Sequence, residues 1–167
     1  DSIGSALALS NLFHENKIKH KVFNVSSDLP QSLDFIPRFE KITDQLPAFF
    51  DLAISVDCGT YKRLGFELDS SIPLINFDHH KSNNSFGVVN IVDPQKSSTA
   101  ELVFEFFKHN GLYITKDSAT ALYVGIYDDT LAFSLGRCDE TTFEKINFLV
   151  ECGASPSEIA NKLLRRD

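Results

Sequence analysis

The chain has 167 residues, of which 43% are hydrophobic and 23% charged, values typical of one globular domain with its own core rather than a disordered segment. Its formal net charge of −7 argues against tight binding along long duplex nucleic acid, which requires a basic surface. No apolar run is long enough to span a membrane, and three scattered cysteines without a Cys-x-x-Cys pair favour reduced thiols and a cytoplasmic setting.

Hydrophobic periodicity predicts helices that alternate with strands. In chain order, the predicted elements are a helix at 2–16, a strand at 20–25, a helix at 35–42, a strand at 51–56, a short helix at 59–68, strands at 72–77 and 88–92, helices at 100–108 and 116–127, a short strand at 131–135, and helices at 140–152 and 157–164. Ser2 and either Ser98 or Thr99 are candidate N-caps, and Gly153 is a candidate helix stop. The pattern predicts an α/β fold with a mostly parallel sheet flanked by helices.

Acidic and imidazole side chains follow several of these elements. The triplet Asp78-His79-His80 ends the run 72–77, Asp57 ends the preceding strand, and Asp129 has an equivalent place after the apolar run 121–127. Asp1 stands just ahead of the first helix. Because ligands bind at the carboxyl ends of strands in open α/β sheets, we expect these side chains to converge. Carboxylates combined with imidazole suit a divalent ion such as Mn²⁺ or Mg²⁺.

Four motifs, in this order and spacing, resemble the DHH phosphoesterase superfamily. They are Asp1-Ser2-Ile3-Gly4-Ser5-Ala6, Val56-Asp57-Cys58-Gly59, Asp78-His79-His80 and Asp129-Thr130. Two longer stretches, from Phe77 to Gly87 and from Asp93 to Glu101, are most similar to the nanoRNase/pAp-phosphatase branch, the bifunctional oligoribonucleases. The resemblance covers nearly the whole chain and implies a Rossmann-like DHH domain.

The resemblance implies a site for two metal ions, usually Mn²⁺, with Mg²⁺ and Co²⁺ as alternatives. Asp57 would bridge the ions, and Asp1, His79 and Asp129 would complete the ligand shell of one of them. The other ion would require a His and an Asp upstream of Asp1, in a His-x-x-x-Asp-x-Asp motif on a first strand that this chain lacks.

Other side chains are predicted to act around the phosphate. His80 would contact the scissile phosphate or the leaving oxygen, and Asp78 would orient an imidazole. The run Ser97-Ser98-Thr99 is expected either to cap a helix or to support the phosphate or metal site. Ser134 stands where many family members have Arg, and Arg137 is close enough to replace that residue.

The function that the resemblance implies is hydrolysis of very short oligoribonucleotides, of 3′-phosphoadenosine 5′-phosphate, or of both. A homodimer is compatible with it, and no membrane or long duplex partner is expected. Two alternatives stay open: a family II inorganic pyrophosphatase, which Thr130-Leu131 also resembles, and a non-catalytic nucleotide-binding domain that retains the fold.

The resemblance also bears on domain organisation. Residues 1–167 would be a catalytic DHH domain with a helical part at about 139–167, without the C-terminal DHHA1-type domain and its Gly-Gly-Gly-His motif. Because part of one metal shell would then be missing, we expect residues 1–167 alone to turn over substrate poorly.

Overall fold

The computed structural model of the protein describes residues 1–135 and 137–164 and confirms the α/β class. Its helices and strands, in chain order, are α1 (Ser2–Glu15), β1 (Val22–Phe23), β2 (Ile42–Thr43), β3 (Ala53–Val56), β4 (Leu74–Asp78), β5 (Val89–Val92), α2 (Thr99–His109), α3 (Lys116–Asp129), α4 (Glu140–Glu151) and α5 (Pro156–Leu164). Strand β1 pairs with β2, and β3, β4 and β5 lie side by side in that order, with every pair parallel. None of the helices in these residues is long and apolar enough to cross a membrane.

The core lies between the three-stranded sheet and the helices α1, α2 and α3. Its largest fully buried apolar side chains include Leu7, Phe77, Val103, Phe107, Leu122 and Ile126. Phe77 of β4 meets Phe106 of α2 edge to face, with ring centroids 5.4 Å apart. Since each such buried side chain contributes about 1.5–3 kcal/mol, this layer fixes the helices on the sheet.

Two glycines allow the helices of this layer to approach closely. A Cβ atom on Gly4 of α1 would lie 2.6 Å from the carbonyl oxygen of Ala121 and 2.8 Å from the backbone nitrogen of Gly125, both in α3. A Cβ atom on Gly125 would lie 2.6 Å from the Cβ atom of Ala100 in α2. The three backbones are therefore nearly in contact where α1 and α2 begin.

Two predicted helices in the first half of the chain are wrong. The segment 35–42 instead forms a 3₁₀ turn at Phe39–Lys41, because Pro37 supplies no backbone donor and Arg38 has a left-handed φ of 70°. The helix predicted at 59–68 is a 3₁₀ turn that ends at Gly65, whose φ of 78° stops it.

The strand predicted at 131–135 is also wrong. Leu131, Ala132 and Phe133 have φ values of 48°, 57° and 64°, so the chain makes a left-handed turn after α3. The hydroxyl of Thr130 stabilises this turn, because it accepts a hydrogen bond from the backbone N–H of Phe133 at 3.1 Å.

Helix ends in the second half follow the prediction. Ser98 caps α2, with its hydroxyl 3.2 Å from the backbone nitrogen of Glu101, and Gly153 ends α4 with a φ of 108°. Helices α4 and α5 form the predicted C-terminal helical part, whose last residues, 165–167, lie outside the described part of the chain.

Candidate metal centre

Three carboxylates surround one imidazole at the carboxyl end of the three-stranded sheet. The Nε2 atom of His79 lies 3.4 Å from Oδ2 of Asp129 and 3.7 Å from a carboxylate oxygen of both Asp1 and Asp57. His79 is buried, and the side chains of Asp57 and Asp129 are only 16% and 27% exposed. The four residues predicted as metal ligands therefore meet, although they come from four different elements.

Asp129 reaches this cluster from the end of a helix. It is the last residue of α3, which confirms the helix predicted at 116–127, so only the likening of Asp129 to the acids that follow strands is wrong. Helix α3 is covered by α1, α2 and α4, and its residues from Ala121 to Ile126 are all buried. A helix that is buried on nearly every side has a continuous apolar run, which periodicity alone cannot distinguish from a buried strand.

Asp1 connects two helix starts. It is the N-cap of α1, so the prediction that Ser2 caps this helix is wrong. Its carboxylate accepts hydrogen bonds from the backbone N–H groups of Thr99, at 2.7 Å, and Ala100, at 3.0 Å. The free N–H groups and the positive end of α2 thus hold a negative side chain at the cluster.

Asp57 leaves β3 in a left-handed conformation, with a φ of 58°. Its backbone N–H still donates to the carbonyl of Phe77, at 2.9 Å, as the last rung of the β3–β4 ladder. Its Oδ1 atom accepts a hydrogen bond from the hydroxyl of Thr99 at 3.2 Å. Such strained backbone positions outside glycine are uncommon and are concentrated at functional sites.

His80 is held from one side only. Its Nδ1 atom lies 2.6 Å from Oδ1 of the fully buried Asp78, and its side chain is 36% exposed. The other oxygen of Asp78 accepts a hydrogen bond from Nδ2 of Asn83, also at 2.6 Å, and Asn83 contacts Asn76 as well. Among the described residues, no hydrogen bond engages Nε2 of His80. Asn83 had no predicted role, although it lies within the stretch that resembles the nanoRNase branch.

The segment 96–99 supports the cluster from below. The carbonyl of Lys96 lies 3.3 Å from Nδ1 of His79, which leaves Nε2 of that ring directed at the three carboxylates. Ser97, Ser98 and Thr99 are at most 1% exposed, so they lie beneath the site and not on its open side. Among the described atoms, the hydroxyl of Ser97 has no hydrogen-bond partner.

Arg137 is the predicted basic residue beside the site. Its Nη2 atom lies 3.5 Å from Oδ2 of Asp129, and its side chain is half exposed. It therefore reaches the outer edge of the cluster, whereas the three carboxylates and His79 form its interior.

The profile described as the DHH family, N-terminal domain, matches residues 1–126. The chain belongs to the DHH family. A relative of this DHH chain, the bifunctional oligoribonuclease and PAP phosphatase NrnA of Thermus thermophilus, is 28% identical over 166 residues, which are 98% of this chain and 50% of that protein. The predicted family is thereby confirmed, as is the predicted similarity to the nanoRNase/pAp-phosphatase branch. The chain spans about half the length of this relative.

Two solved structures extend the comparison. The DHH chain superposes on an exopolyphosphatase-related protein of Bacteroides fragilis with a TM-score of 0.91 and 25% identity, covering 100% of this chain and 53% of that one. A putative family II inorganic pyrophosphatase of Methanococcus jannaschii gives a TM-score of 0.67 at 18% identity, covering 97% and 57% of the two chains. The second likeness concerns the fold alone.

The donor set of the DHH chain fits a hard or intermediate divalent cation. Carboxylate oxygens from Asp1, Asp57 and Asp129 combine with one imidazole nitrogen, and two overlapping groups have ligand atoms within 4.8 Å of one another: Asp1 with His79 and Asp129, and Asp57 with His79 and His80. Carboxylates packed this closely repel one another, so a cation among them removes an unfavourable interaction.

Cys58 follows Asp57 but is poorly suited to be a ligand. Burial raises the pKa of its thiol, and its Sγ atom donates to the carbonyl of Thr60 at 3.3 Å. Both observations favour the protonated thiol, which suits a small packing residue beside the cluster.

Proposed function

We propose that this chain is the catalytic domain of a Mn²⁺-dependent phosphoesterase that hydrolyses very short oligoribonucleotides, 3′-phosphoadenosine 5′-phosphate, or both. The observation that carries the proposal is the meeting of Asp1, Asp57 and Asp129 around Nε2 of His79. The substrate class comes from the relative in Thermus thermophilus, whose name is bifunctional oligoribonuclease and PAP phosphatase. Small substrates also agree with a net charge of −7, which disfavours a long polyanion.

We assign Asp1, Asp57, His79 and Asp129 as the residues that would hold Mn²⁺. Bound divalent cations of this kind acidify water and neutralise charge on phosphoryl oxygens. The role of the protein is to hold these metal-binding side chains in position before an ion binds. Backbone N–H groups of α2 hold Asp1, the hydroxyl of Thr99 holds Asp57, and the carbonyl of Lys96 orients His79.

His80 is assigned to the scissile phosphate or the leaving oxygen. Asp78 holds its Nδ1 atom, so Nε2 on the partly exposed side of the ring is available to exchange a proton with substrate. Asn83 keeps Asp78 in place and is a positioning residue in this scheme. Arg137 is assigned to a phosphate oxygen at the outer edge, because its guanidinium group is half exposed beside Asp129.

The proposed setting is the cytoplasm, where short nucleotides and reducing conditions are found together. Cys58, Cys138 and Cys152 are all free thiols, which supports this setting.

The test is hydrolysis by the full-length gene product with Mn²⁺. We expect release of mononucleotides from di- to pentaribonucleotides and of phosphate from 3′-phosphoadenosine 5′-phosphate. Asp57→Asn removes a charged ligand worth several kcal/mol in the transition state, so turnover should fall at least ~10²-fold. Asp69→Asn is the control, because Asp69 is an exposed carboxylate that bonds only locally to Ser71 and should leave turnover unchanged.

The same assay separates the two alternatives. Hydrolysis of pyrophosphate in preference to both nucleotide substrates would favour a family II pyrophosphatase. No turnover on any of these substrates, together with equal nucleotide binding by wild type and Asp57→Asn, would favour a non-catalytic binding domain.

A further inference from the structure

One short segment contacts three of the proposed metal ligands at once. The carbonyl of Lys96 lies 3.3 Å from His79, the backbone N–H of Thr99 donates to Asp1 at 2.7 Å, and the hydroxyl of Thr99 contacts Asp57 at 3.2 Å. The position of this segment therefore sets the spacing of the ligands, and whatever anchors the segment acts on the whole centre.

Glu101 is the anchor of this segment. Its Oε2 atom accepts a hydrogen bond from the backbone N–H of Ser97 at 2.8 Å, while its own backbone N–H donates to the hydroxyl of Ser98 at 3.2 Å. Together they hold the first turn of α2, with the Glu101 side chain bonded to the residue just before the Ser98 N-cap. Glu101 is only 1% exposed, so its negative charge requires a nearby cation.

Lys145 supplies that cation from α4. Its Nζ atom lies 3.4 Å from Oε1 of Glu101 and 2.8 Å from Oε1 of Glu105, and Lys96 reaches the same oxygen of Glu105 at 2.6 Å. Two glutamates one helical turn apart repel each other, and Lys145 lies between them. Burial alone would raise the pKa of Glu105, but the hydrogen bonds from Lys145 and Lys96 outweigh burial and hold this pKa below its usual value.

The place of Lys145 in its helix is unusual for a lysine. The buried residues of α4 are Thr142, Lys145 and Leu149, which lie on one face of the helix. Lys145 is itself 9% exposed. Lysines are almost never buried unless they are paired, so this position indicates a specific task. Helix α4 also lies beyond residues 1–126, the part that matches the family.

We propose that Lys145 is a positioning residue of the metal centre: through Glu101 it fixes the segment 96–100, and that segment fixes Asp1, Asp57 and His79. The inference rests on the proposed function, since it assumes that these side chains hold a divalent cation. It assigns a role in the site to α4, whose Lys145 reaches the segment 96–100 through Glu101.

The test is Mn²⁺ affinity, measured by electron paramagnetic resonance, in which free Mn²⁺ gives a signal that is lost on binding. Lys145→Met should weaken Mn²⁺ binding about 10- to 100-fold, the range for residues that support metal ligands. Lys145→Arg should restore the affinity to within about threefold of wild type, because a guanidinium group can pair with both glutamates. Lys162→Met, a change at an exposed lysine of α5, is the matched control and should leave the affinity unchanged.

A double variant keeps the inference testable if Lys145→Met does not fold. Glu101→Gln combined with Lys145→Met buries no unpaired charge and keeps an acceptor for Ser97, so it should fold even if Lys145→Met alone fails to fold. If Lys145 acts through Glu101, the double variant binds Mn²⁺ no more weakly than Glu101→Gln alone. Additive losses in the double variant, or wild-type affinity in a folded Lys145→Met protein, would overturn the inference. Wild-type protein that binds Mn²⁺ but hydrolyses no nucleotide would instead reject the proposed function and leave the role of Lys145 standing.

Discussion

Gly4→Ala is expected to disturb the fold and the metal centre together. The new Cβ atom would lie 2.6, 2.8 and 2.9 Å from three backbone atoms of α3, none of which can rotate away. Since ordinary van der Waals contact begins at 3.4 Å, α1 must move from α3 by about 0.8 Å. Such overpacking costs about 3 kcal/mol at the upper end of its usual range, while alanine gains about 1 kcal/mol over glycine in a helix. The net loss is about 2 kcal/mol of unfolding free energy.

The displacement also separates the proposed ligands. Asp1 precedes α1 and Asp129 ends α3, so the helix shift changes the distance between their carboxylates. Sites of this kind hold their groups to within about 0.5 Å, so we expect Mn²⁺ affinity to fall about tenfold. Urea unfolding measures the first effect and Mn²⁺ titration the second.

Gly111→Ala is the control for the Gly4 experiment. Gly111 has a φ of 63°, and a Cβ atom added there would have no heavy atom within 4 Å, so alanine adds backbone strain of about 1 kcal/mol without moving a helix. Its Mn²⁺ affinity should equal that of wild type. A Gly4→Ala protein that keeps both wild-type stability and wild-type Mn²⁺ affinity would refute the argument.

Two further predictions concern α2. Ser98→Ala removes the helix cap and should lower the free energy of unfolding by about 1 kcal/mol, whereas Thr120→Ala, at an exposed hydroxyl in α3, should change it by less than about 0.5 kcal/mol in the same urea titration. The lowered pKa of Glu105 means that its pairing stabilises the fold above the ordinary glutamate pKa and is lost as pH falls through the lowered value. Urea titrations at several acidic pH values should show this loss in wild type and a weaker one in Glu105→Gln; parallel curves would contradict it.

Much of the site could be predicted because parallel strands share one edge. Asp57 and His79 follow β3 and β4, which are neighbours in the sheet, so their meeting follows from strand assignment alone. Asp129 was also placed at this edge, by analogy with those strand ends, although the run before it belongs to the helix predicted at 116–127 and found as α3. Its position depends on how α3 packs against α1 at Gly4, which no local pattern reveals.

The helix predicted at 35–42 contained a local signal against it. Pro37 outweighs the helical spacing of the apolar residues around it.

Other parts of the structure depend on contacts between residues that are distant in sequence. Lys145 gave a weaker signal, a lysine on the same helical face as Thr142 and Leu149. Its partner Glu101 is 44 residues earlier, and only the packing of α4 on α2 brings the two together.

The three carboxylates around His79 affect the order in which cations and nucleotide bind. Two like charges about 4 Å apart near a protein surface repel by roughly 4 kcal/mol. Without a bound cation, the three carboxylates therefore disfavour the binding of a nucleotide phosphate. Under the proposed function, cations should therefore bind before the nucleotide or together with it. If the proposed function holds, the supply of divalent ions sets how many molecules can bind substrate, and a chelator would stop hydrolysis by removing those ions and not by competing with the nucleotide.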